Sequence, residues 1–162
     1  MSPTLTPSKL WKRLSPEQRL QAARAFWLDD QAVNDQIQAV LLISQQKKFR
    51  PKTVASLDED RKARHLASLA NLPDSVAGRA LIVYHLAEQR AMMSAFLDEL
   101  GISHAEGLIQ EDSVTPDATR IGPAAAKIAQ QFPPDTVSLY LNTLLCQDPE
   151  TWAALEAVPE RT

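Results

Sequence analysis

Large apolar residues recur along this chain every three or four positions, the spacing of helices with a buried side. The densest stretch runs from Asp74 to Leu100. Projected at about 100° per residue, Leu81 and Met92 point one way and Ile82, Met93 and Leu100 another. Val83, Tyr84, Leu86, Phe96 and Leu97 fill further directions. A helix apolar on nearly every side is buried among neighbours. Asp74 is placed to cap its start. Gly101 followed by Ile102 suits a left-handed C-terminal cap with its hydrophobic contact. The pattern therefore predicts one long central helix over about 74–100.

The flanking segments read as shorter helices. Ser15-Pro16-Glu17-Gln18 is a capping box with proline at the first position. It opens a helix to about Leu28 with Leu20, Ala23, Phe26 and Trp27 on its apolar face. A second helix covers about Gln31 to Lys48. There Val33, Ile37, Val40, Leu41 and Ser44 share the face expected to point inward, with Leu42 and Ile43 widening it. Lys47 and Lys48 complement the negative end of its dipole, and Pro51 ends it. Ser56-Leu57-Asp58-Glu59 reads as another capping box, starting a third helix to about Asn71 with Ala63, Leu66, Ala67 and Ala70 inward. Leu72-Pro73 forms the corner before Asp74.

Beyond Gly101, Ser103-His104-Ala105-Glu106 reads as a third capping box opening a short helical turn. Residues 107–122 read as a surface loop. Pro123 to Phe132 predicts an alanine-rich helix, and about Thr136–Cys146 another with Val137, Tyr140, Leu141, Leu144 and Leu145 inward. Asp148-Pro149-Glu150 starts a last short helix holding Trp152 and Leu155. The 11 prolines sort onto boundaries in this reading. Pro16, Pro123 and Pro149 take first helical positions, and Pro51, Pro73, Pro133, Pro134 and Pro159 take breaks. Leu72-Pro73-Asp74-Ser75-Val76 echoes Pro133-Pro134-Asp135-Thr136-Val137, but these are residues that any helix start favours.

Composition narrows the possibilities. The chain has 162 residues, with 44% hydrophobic and 23% charged, which suits one soluble domain with a useful core. Four glycines leave little material for hairpins that need positive φ, or for phosphate-cradling loops. A single cysteine, Cys146, rules out an intramolecular disulfide and a multi-cysteine zinc site, and it fits a reducing compartment. The first residues lack the apolar run of a signal peptide, and no stretch is long enough to span a bilayer. A cytoplasmic protein without membrane attachment is expected. Net charge is −3, but it is unevenly spread. Residues 1–81 hold 13 Lys+Arg against 8 Asp+Glu, and residues 82–162 hold 4 against 12.

Candidate chemistry is sparse. His85 and Glu88, three apart on the central helix, share a face and are the candidates for a catalytic or metal site. Di-iron bundles use the reverse order, Glu then His, in two copies, so a hydrogen-bonded structural histidine is the simpler reading. His104 in a first helical turn is a second candidate base. His65, beside Arg61 and Arg64, sits in a setting that disfavours its charged form. No nucleophile elbow, zinc-protease helix or P-loop occurs. Lys47, Lys48, Phe49, Arg50, Lys52, Arg61 and Arg64 form a basic stretch in which the cations suit phosphates and Phe49 suits a base. Asp58, Glu59 and Asp60 interrupt it. Trp11, Trp27 and Trp152 are core residues near the chain ends or, if exposed, interface candidates.

These observations lead to an all-α fold. The expectation is one irregular bundle of about six to eight helices around 74–100. Residues 1–14 would be a poorly ordered lead-in and 15–158 one helical domain. The leading functional reading is a non-enzymatic interaction or regulatory module whose partner is another protein or a second copy. No metal and no cofactor are expected. The alternatives are nucleic-acid or phosphate binding through residues 47–64, and a small enzyme or metal-binding protein with its site on the central helix.

Overall fold

Proline and short polar side chains decide where most of the helices begin. A computed structural model describes residues 5–111 and 114–161. Expectations for residues 1–4 and 112–113 fall outside that range. Among the described residues the regular structure is helical, apart from one two-stranded hairpin, and closes in two 3₁₀ turns. The all-α class holds. Its contacts divide it into two compact units, one over Thr6–Tyr84 and one from His85 to Arg161 with Leu5. The excess of basic residues falls in the former and the excess of acidic residues in the latter.

The first unit contains α1 (Pro7–Arg13), α2 (Pro16–Leu28), α3 (Val33–Lys47), α4 (Pro51–Ala55), α5 (Glu59–Ala67) and most of α6 (Asp74–Glu88). The expected irregular lead-in is thus partly a helix. Thr6 caps α1 and Pro7 takes its first position. Trp11 anchors it, fully buried, with Nε1 donating to the Leu69 carbonyl at 2.8 Å. The Ser15–Gln18 capping box forms as expected, with both reciprocal bonds at 3.1 Å. α2 packs on α5, burying Ala23, Phe26, Ala63 and Leu66.

Ser56 does not cap the next helix. It closes α4, donating to the Thr53 carbonyl, and Asp58 caps α5 by accepting from the Arg61 N–H at 2.8 Å. A carboxylate next to the helix start suits that end better than a hydroxyl two residues earlier. Pro51 starts α4 rather than ending α3, whose close is the left-handed Lys48.

The second unit contains the end of α6, then α7 (Arg90–Leu100), β1 (His104–Ala105), β2 (Leu108–Ile109), α8 (Ala118–Gln131) and α9 (Pro134–Gln147). The 3₁₀ turns cover Ala153–Ala157 and Pro159–Arg161. Its core is aromatic. Phe96 meets Tyr140 edge-on, with centroids 5.6 Å apart, and lies 6.1 Å from Trp152. Asn142 locks the C-terminal segment. Its Nδ2 donates to the Arg161 carbonyl at 2.9 Å, and its Oδ1 accepts from the Arg161 guanidinium at 3.0 Å.

The continuous helix expected over 74–100 is two helices. Gln89, at φ −126° and ψ 28°, leaves the helical region and separates α6 from α7. The Leu86 carbonyl accepts from the Arg90 side chain, Nε to oxygen 2.5 Å, and the same guanidinium pairs with Glu106. A side chain thus serves an orphan carbonyl at the break. α7 ends as predicted. Gly101 is left-handed at φ 70°, and the Ile102 N–H reaches the Leu97 carbonyl at 3.0 Å.

Three further expectations change here. Ser103–Glu106 opens no helix but enters the hairpin, whose two-residue turn takes Glu106 at φ 52° and Gly107 at φ 95°. Two consecutive positive φ values match the twist of short hairpins, and Gly107 supplies the more demanding one. α8 starts at Ala118, not Pro123, because Asp117 caps it by accepting from the Thr119 N–H at 2.9 Å. Pro123 sits inside the helix and simply lacks one donor. The last expected helix is instead a turn held by Asp148 and Thr151, followed by 3₁₀ structure.

Candidate functional site

The residues singled out for chemistry do not converge. His85 is 2% exposed, with its ring 5.6 Å from that of Tyr140, whereas Glu88 is exposed. Among the described residues no three His, Cys, Asp or Glu side chains are placed to hold an ion. Burial also pushes the Tyr140 hydroxyl above its ordinary pKa, keeping it neutral in the core.

His104 carries out a structural task. Its Nδ1 accepts the Gly107 backbone N–H at 3.0 Å, so Nε2 holds the proton and donates to Asp98 Oδ1 at 2.7 Å. Both ring nitrogens are engaged, Nδ1 in closing the hairpin turn and Nε2 in tying it to α7. Several other polar residues of α6 and α7 are also paired. Arg79 meets Asp35 at 3.2 Å, and Glu99 meets Lys127. Cys146 is buried, with Sγ 3.3 Å from the Thr143 carbonyl.

The basic stretch is divided. Arg64 pairs with Asp60 at 3.1 Å, Arg61 lies 3.8 Å from Asp58, and Arg24 reaches Asp60 at 3.0 Å. Lys47, Lys48, Arg50 and Lys52 stay exposed. Phe49 turns its ring edge-on to His65 at 5.5 Å. The tryptophans are core residues and do not form an interface. Trp11 and Trp152 are buried within their units, and Trp27 packs edge-on against Phe26 beneath the Lys62 ammonium.

The feature that stands out was expected to be core. On α3 the predicted inward face is split: Ile43 is buried and Val40, Leu42 and Ser44 are half-buried, but three of its apolar residues point outward. Val33, Ile37 and Leu41 are 53%, 58% and 48% exposed, and the buried residues of the helix are Ala39 and Ile43. Two polar contacts set this rotation. Gln36 Nε2 donates to the carbonyls of Phe26 at 2.9 Å and Asp29 at 2.8 Å, capping the end of α2. Asp35 is drawn to Arg79. With 35, 36, 39 and 43 turned inward, positions 33, 37 and 41 lie on an exposed i, i+4, i+8 ridge. Exposed Asn34, Gln38 and Gln45 border it, and Leu28 lies exposed just before it. The signal was present in the sequence as a helix with more apolar residues than one face holds, but that pattern does not say which part is left uncovered.

Two shallow grooves lie in the second unit. One of about 480 Å³ is lined by Ala118, Gly122, Pro123, Ala126, Ala154 and their neighbours. The other, of about 440 Å³, adjoins Thr115, Ile121 and Thr151. Their linings offer one glutamate each and no cation. No helix among the described residues is long and apolar enough to cross a membrane. The chain matches no protein-family model, no characterised protein and no solved structure.

Proposed function

We propose that this protein is an interaction module whose docking surface is the outer ridge of α3. The observation that carries the reading is the half-exposure of Val33, Ile37 and Leu41 on a helix anchored from behind by Gln36, Ala39 and Ile43. Completing the burial of three such side chains stabilises a complex by about 1 kcal/mol each, half the value for full transfer from water. A helix laid along an i, i+4, i+8 row is the partner geometry this ridge fits. A photo-crosslinking residue placed at position 37 of the full chain, in the cells it comes from, tests it. A discrete adduct from position 37, absent when the same residue replaces Gln130, is the expected result. No adduct from positions 33, 37 or 41 overturns the proposal.

A second reading rests on the exposed cations Lys47, Lys48, Arg50 and Lys52. They make no ion pair among the described residues. Nucleic-acid binding there would give a salt-sensitive gel shift that Lys48→Ala with Arg50→Ala weakens. No shift at low salt removes it.

A further inference from the structure

The same ridge specifies its own complement. We infer that the occupant of the α3 face is the α3 of a second copy, packed antiparallel; this rests on the interaction reading above and names the partner. The argument is one of register and charge. A two-fold axis level with Ala39 pairs residue i of one copy with residue 78 − i of the other. Ile37 then faces Leu41, and Asn34 faces Ser44, each pair formed twice. All four lie on the side of α3 away from Ala39 and Ile43, with Ser44 half-covered and the other three exposed. The antiparallel placement also brings the turn ahead of the helix, with exposed Asp30, to the end of the partner helix, where the left-handed Lys48 is exposed.

Ile37 and Leu41 therefore meet at the centre, Asn34 and Ser44 outside them, Val33 falls beside Gln45 at the flank, and opposite charges come together at both rims. A parallel pairing would set Asp30 on Asp30 and Lys48 on Lys48. The antiparallel arrangement also opposes the two helix dipoles favourably. A contact confined to one face of a 15-residue helix is smaller than the surface of a standard stable complex, so the dimer is weak and exchanges rapidly.

Sedimentation equilibrium of the full chain from about 10 µM to about 1 mM at low salt reads this directly. The expected result is a mass rising with concentration from 17.9 kDa toward twice that value. Leu41→Asp weakens association at least tenfold, with circular dichroism unchanged because the site is exposed. Asp30→Lys or Lys48→Asp alone weakens it severalfold by placing like charges together at both rims. Combining the two changes in one chain, or mixing the two single variants, recovers it. A dimer insensitive to Leu41→Asp overturns the face. Single charge changes without effect overturn the antiparallel register. A monomer at every concentration, alongside a position-37 adduct to a different protein, overturns self-pairing and leaves the interaction module standing. A monomer with no adduct at all overturns both.

Discussion

α3 and α9 each carry seven apolar residues, yet α9 buries eight of its fourteen residues and α3 only two of its fifteen. α9 is enclosed. It contacts α8 and both closing 3₁₀ turns, and even Asn142 and Thr143 are covered and satisfied there. α3 packs on α4 and α5 and makes side-chain polar contacts to α2 and α6, through Gln36, Asp35 and Gln38, which fix which side turns inward. The comparison shows that apolar content sets how much surface a helix wants to hide. How closely its neighbours pack, and from how many sides, sets how much it hides. In the acidic unit the demand is met internally. In the basic unit α3 retains an uncovered ridge.

Substitutions in matched positions sharpen this contrast. The largest effect is expected at Phe96, fully buried between Tyr140 and Trp152. Phe96→Ala removes about 3–5 kcal/mol from unfolding stability measured in urea. Ile37→Ala, on the ridge, stays within about 0.5 kcal/mol at concentrations where the chain is monomeric. If the two cost the same, the ridge is core and the docking proposal fails.

Gly107 comes next. A Cβ there would stand 2.7 Å from Met93 Cβ, and φ is 95°. Gly107→Ala costs about 1–3 kcal/mol through backbone strain and that clash. Loss of the Gly107 N–H to His104 bond in amide-exchange spectra would accompany it. Tolerance of alanine would show that the hairpin is not held against α7.

The smallest effect is a pH dependence at the start of α8. The Thr119 hydroxyl and then its backbone N–H, assisted by Arg120, hold the Asp117 carboxyl below the ordinary aspartate range. The folded pKa lies below the unfolded one. The cap's contribution is therefore complete above the unfolded value and is lost as pH falls through the folded value. An NMR titration should find Asp117 titrating low, and Thr119→Ala should raise it. An unchanged titration in that variant would remove the hydroxyl from the account.

Much of the secondary structure was legible. The Ser15–Gln18 box, the end of α2 at Leu28 and the left-handed close at Gly101 all rest on local chemistry, where three or four adjacent residues settle the outcome. Less local decisions were not legible. Gln89 carries no proline or glycine mark, because the break there involves Arg90 reaching back to Leu86 and across to Glu106. His104 reads as a free base until the fold engages both of its nitrogens. The candidate surface was read as core for the same reason. Periodicity finds an apolar face, but here Gln36 and Asp35 choose which edge of it turns inward.

Read alone, the amino-acid order determined an all-helical chain, the places where most helices start or stop, and a charge that changes sign midway. Those follow from hydrogen bonding and dihedral preference over a few residues. Only the tertiary structure decided which apolar positions are hidden, which histidine nitrogens are occupied, and that α3 presents Val33, Ile37 and Leu41 to solvent. Burial depends on how closely neighbours pack and from how many sides, and that belongs to the folded chain as a whole.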